Sequence, residues 1–147
     1  MNELLAYAIL LCEDIVSDEI FSNWLDRAFL ENPNDDNLLE FECMGNAEKA
    51  AASVISRFDY SRLDSVQFGR TMMKELKKYC QSCGITERFG QKMYTLWESL
   101  PGCIQDDEPF SILTYADDPL SWGDERQSRE IYEKAFGYYD QMSKGAN

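Results

Sequence analysis

Cys80 and Cys83, in "CQSC", have the spacing that zinc sites and thiol–disulfide enzymes use. Zinc would need two further ligands. The chain has no histidine, and its other cysteines, at 12, 43 and 103, are scattered singly. Redox work would need a stabilised thiolate, usually found where the positive end of a helix dipole faces the sulfur. Here the pair closes a helical pattern, so the dipole opposes ionisation. With five cysteines and no secretory signal, reduced and mostly packed thiols are the expectation. No metal and no cofactor is implied.

The absence of histidine also removes Ser-His and Cys-His nucleophiles, the commonest general base, and most catalytic zinc designs. Carboxylate chemistry is left, with Asp106-Asp107-Glu108 and Asp117-Asp118 as the densest groups. A glycosidase-like acid and base must face each other across a deep cleft. These acids instead sit side by side among turn residues, as in a solvated loop. No phosphate-binding glycine loop, dinucleotide fingerprint or calcium loop occurs. A carboxylate-based enzyme therefore ranks below a binding role.

The elements that must position these residues read as helices. Residues 3–14 form an apolar pattern, "LLAYAILLC" at its centre, with Asn2 available as N-cap. That run is too short to span a bilayer and no basic residue precedes it, so a buried helix in a cytoplasmic protein is expected. A second helix follows Ser17, with Ile20, Phe21, Trp24, Leu25, Ala28 and Phe29 at the 3.6-residue period, and ends at Asn32-Pro33. "NPNDDN" is a turn carrying Asp35 and Asp36. Further helices are expected over 47–58 after Asn46, over 64–83 with Gly84 as an αL cap, from Thr86 to Leu100, and over 124–141. Residues 142–147 read as a disordered tail. The expected class is all-α, a single-domain bundle of about six helices over 1–147. A short two-stranded pairing of 38–43 with 110–115 is the competing arrangement for the two ambiguous segments.

Charge is unevenly spread. Of the net −13, residues 1–48 carry −11, residues 49–100 carry +4 and residues 101–147 carry −6. Such a field repels nucleic acid and anionic membrane and favours a basic protein partner. The basic middle, with Arg70, Lys74 and Lys77 on one helix face, is small beside the total and reads as a solvated outer face.

The segment "TYADDPLSWGDE", residues 114–125, joins four acids to Tyr115 and Trp122 without a base. In structural terms Asp118-Pro119 makes a turn, Ser121-x-x-Asp124 resembles a capping box, and Leu120 and Trp122 would fold inward. In functional terms a rigid loop of aromatics amid carboxylates suits an arginine- or lysine-rich partner. The two readings combine if the acids point outward.

In size, charge and its aromatic-acidic stretches "SNWLD" and "YADDPLSWGDE", the chain resembles the small acidic bacterial immunity proteins that neutralise a cognate toxin. That resemblance implies a non-enzymatic inhibitor that occludes the basic cleft of a toxin domain. The residues expected at the contact are Asp35, Asp36, Tyr115, Asp117, Asp118, Trp122, Asp124 and Glu125. The rival binding role is a helical adaptor working through an apolar or homodimeric face.

Overall fold

The computed structural model describes residues 1–140, and these contain no strand. They form seven α-helices: α1 (Asn2–Cys12), α2 (Asp18–Glu31), α3 (Asp36–Cys43), α4 (Ala47–Arg57), α5 (Ser65–Cys83), α6 (Glu87–Glu98) and α7 (Glu125–Phe136). Three 3-10 turns, Tyr60–Arg62, Phe110–Thr114 and Asp118–Trp122, join them. The all-α class is as expected; the count of about six helices and the strand pairing are not. Residues 38–43 are the added helix. Asp35 caps it by accepting from the N–H groups of Asn37 and Leu38, at 2.9 and 3.2 Å, which starts a helix where the apolar residues alone left the choice open. Its intended strand partner, 110–115, coils as a 3-10 turn. The tail expected at 142–147 lies outside the described residues. No helix among the described residues is long and apolar enough to cross a membrane.

The chain divides into two compact units, Met1–Thr71 and Met72–Asn147, with the boundary inside α5. In the first unit, α1 is apolar all round and every residue from Leu4 to Leu11 is buried, as such a helix requires. It packs against α2 and α4, while α3 lies against α2 and α4. The alanines of α4 have the expected use: Ala50 and Ala51 are buried, and their small side chains let neighbouring helices approach. Asn2 does not cap α1. It lies in the first turn, and its side chain instead accepts from the Asp64 N–H (3.0 Å) and donates to Gln67 (3.3 Å), tying the start of the chain to the start of α5. Ser17 and Asn46 cap α2 and α4 as their positions predict.

In the second unit, Thr86 caps α6 and Gly84 takes the left-handed conformation, φ 79°, that ends α5. Met93 and Leu96 line the buried face of α6, while Tyr132, Ala135 and Phe136 line that of α7. Between these helices runs a connector that is hydrogen-bonded rather than loose. Trp97 Nε1 donates to the Gln105 carbonyl at 2.9 Å, and Gln105 Nε2 returns a bond to the Trp97 carbonyl at 3.1 Å. Beyond that clamp, Phe110, Ile112, Leu113 and Ala116 are buried, and the 3-10 turn that carries the first three packs against α6 and α7.

The cysteines correct one expectation. All five are free thiols, but Cys12, Cys43, Cys83 and Cys103 are exposed rather than packed, and Cys80 is half-buried. Burial, outweighing the nearby Arg129, raises the Cys80 thiol above its ordinary pKa, the sense expected at a helix C-terminus.

Candidate partner-binding surface

Six of the eight residues expected at a contact lie on one short stretch of the second unit, 115–125. Its path is set by three devices. The 3-10 turn over Asp118–Trp122 has Pro119 at its second residue, within the first turn, where a missing N–H costs nothing. Gly123, at φ 80°, reverses the chain. The Gly123 N–H bonds to the Leu120 carbonyl at 3.0 Å, and the Asp124 N–H to that of Pro119 at 2.9 Å. This pair of bonds is a Schellman closure, which leaves the turn few free backbone groups. Only then does α7 begin.

Side chains divide sharply along this stretch. Pro119 is buried and Leu120 half-buried, but Trp122 is 63% exposed and Tyr115 45% exposed. Trp122 therefore faces solvent instead of folding inward, and Pro119 and Leu120 are the covered residues of the turn. The capping box is also corrected. Ser121 turns back to donate to the Asp118 carbonyl at 2.7 Å, and Asp124 is the cap, accepting from the Gln127 N–H at 3.0 Å.

The acids are not equally available. Asp117 is half-buried against α6, so close to Gly90 that a Cβ there would meet its Oδ2 at 2.5 Å. Asp124 is held by its cap, and Glu125 bonds Arg129 at 2.6 Å. Asp118 is the exposed acid of the group that makes no side-chain bond among the described residues. What the stretch presents to solvent is therefore Tyr115, Asp118 and Trp122, with Glu125 beside them in an ion pair. In the first unit, Asp36 is exposed in the first turn of α3, while Asp35 is committed to capping that helix.

Two features had no signal in the sequence. On the first unit, Asp26 and Glu42 face one another on α2 and α3, beside an open groove of about 300 Å³. Burial of Glu42, then a hydrogen bond shared with Asp26, then the Asp26 charge push the Glu42 carboxyl up to about 7. Sixteen residues separate them, so no local spacing announces the pair. On the second unit, the Tyr132 and Ser128 hydroxyls are buried without a hydrogen-bond partner among the described residues. Each such group costs about 1–3 kcal/mol. Burial first, then the charges of Asp117, Cys80 and Asp118, raise the Tyr132 phenol well above its ordinary pKa, so it stays protonated.

Among the described residues, no group of three or more Cys, Asp or Glu is placed to hold a metal ion. No protein-family model, curated protein or solved structure matches the chain.

Proposed function

We propose that the protein is a non-enzymatic binding module of the immunity type, whose second unit docks on a basic protein partner, such as a toxin domain, through Trp122, Tyr115 and Asp118. The observation that carries this reading is the 63% exposure of Trp122 on a turn closed by its own hydrogen bonds. A large aromatic on a hydrogen-bonded turn has few torsions to fix when it is covered, which is the property of a contact anchor. Asp118 beside it offers an unpaired carboxylate to an arginine or lysine. The net charge of −13 supplies long-range attraction, which steers association and weakens as salt rises. Because Asp117, Asp124 and Glu125 are engaged internally, the aromatic contact contributes more of the affinity than the sequence alone suggests.

The test is direct binding to the basic domain of a toxin-like protein encoded beside this chain. Trp122→Ala is expected to weaken binding by about 2 kcal/mol or more, and Asp118→Asn to act mainly on the association rate at low salt. Affinity unchanged in both variants would remove this surface from the function.

A second reading draws on the Asp26–Glu42 pair. A carboxyl held up to about 7 beside another acid is the arrangement a carboxylate-based enzyme needs. The groove beside it is open to solvent, whereas such chemistry works in an enclosed cleft, so this reading stands second. An adaptor role through an apolar face would use Ile20, Leu30 and Leu39 of the first unit, which are exposed.

A further inference from the structure

The second unit holds a groove of about 510 Å³ bordered by the end of α5 and the last turns of α7. Its lining is of two kinds. Ile85, Phe136 and Tyr132 give it an apolar side, each buried. Lys77 and Arg129 give it two cations, against one carboxylate, Glu133. In a chain with 27 acids and 14 bases this local balance is reversed. Lys77 makes no ion pair among the described residues, and Arg129 shares its charge with the exposed Glu125 alone.

Tyr132 is wholly buried, yet its hydroxyl has no acceptor among the described residues. Burial first, and then the charges of Asp117 and Asp118, keep the proton on that phenol. Cys80, also in the lining, stays a neutral thiol and adds no opposing charge. An occupant that fits this lining brings one negative charge for Lys77 and Arg129 and an apolar body for Ile85 and Phe136. The single carboxylate of Glu133 disfavours a doubly charged head.

We propose that this groove is a binding site for a small amphipathic monoanion, a carboxylate with a short aliphatic or aromatic body, its head between Lys77 and Arg129 and its body against Ile85 and Phe136. The size lies within the range of small-molecule sites. The site stands apart from the partner-binding reading, and its test needs no partner.

The experiment titrates the full chain with sodium octanoate and, separately, with 1-octanol, following amide chemical shifts and heat. Octanoate is expected to bind saturably, with shifts gathered at 77–85 and 129–137, and octanol at least about tenfold more weakly, as a charge-assisted contact implies. Lys77→Gln and Arg129→Gln, both at exposed positions, are each expected to weaken octanoate by about tenfold. Absence of saturable binding, equal affinity for octanol, or affinity unaffected by both Lys77→Gln and Arg129→Gln would overturn the assignment.

Discussion

The stretches "SNWLD" and "YADDPLSWGDE" have similar composition and opposite fates. In the first, Trp24 lies on the helical period of α2. Its ring stacks on Tyr7 of α1 with centroids 4.8 Å apart, and the Arg27 guanidinium lies 5.1 Å from its centroid. In the second, Trp122 ends a 3-10 turn just before a left-handed glycine and stands in water. A tryptophan among acids is thus half-buried and stacked when the helical register turns it toward a neighbouring helix, and exposed when it ends a 3-10 turn. Composition alone does not separate the two.

The largest test of this contrast is a pair of truncations. Trp24→Ala is expected to lower stability by about 2–3 kcal/mol, since a half-buried stacked ring is lost. Trp122→Ala is expected to leave it within about 0.5 kcal/mol. Urea midpoints of both variants measure this; similar losses in the two would erase the contrast.

Next in size is Gly90→Ala. The added methyl meets Asp117 at distances no side chain accepts, so the 115–123 turn must shift, at a cost of about 1–3 kcal/mol. Adding Asp117→Gly should recover part of that loss in thermal melts. A Gly90→Ala variant as stable as the parent would show that Asp117 does not brace the turn that carries Trp122.

The four acids of the exposed stretch should separate as their bonds do. Asp124→Ala removes a helix cap, at about 1 kcal/mol. Asp118→Ala removes no bond within the structure and is expected to change stability by less than about 0.5 kcal/mol. Equal effects in equilibrium unfolding would mean that Asp118 is also engaged internally.

The smallest effect concerns Asp26 of "SNWLD" and its neighbour Glu42. The folded Glu42 pKa, about 7, lies above the ordinary 4.5. The folded state therefore binds the proton more tightly than the unfolded one. Stability is greatest below about pH 4.5 on this account and falls as pH rises through 7. Glu42→Gln should remove that slope and stabilise the protein at pH 8 by less than about 1 kcal/mol, given partial exposure. Urea midpoints near pH 5 and pH 8 read it; an unchanged slope would mean that Glu42 titrates normally.

Much of the helical layout was legible because caps and period are local. Ser17, Asn46, Thr86 and Gly84 each mark the terminus they occupy, and "LLAYAILL" announces a helix buried all round. Residues 38–43 were not legible as a helix, because six apolar and acidic residues fit either period and the deciding bond comes from Asp35 outside them. The candidate surface was half legible. Its residues could be named, but their exposure is set by the path of the 3-10 turn, which covers Pro119 and leaves Trp122 in solvent. Asp117 was misread as free because the hollow it fills belongs to Gly90, twenty-seven residues earlier. The Asp26–Glu42 pair and the groove beside Tyr132 are products of helix packing alone.

The central claim is that Trp122 is a contact anchor and Trp24 is not. Amide hydrogen exchange of the chain, free and bound to the basic domain of its candidate partner, tests this most directly. Slowed exchange at 115–125 on binding, with 20–31 unchanged, is the predicted result. Protection confined to 20–31 or to other parts of the chain, with 115–125 exchanging as in the free protein, would contradict it.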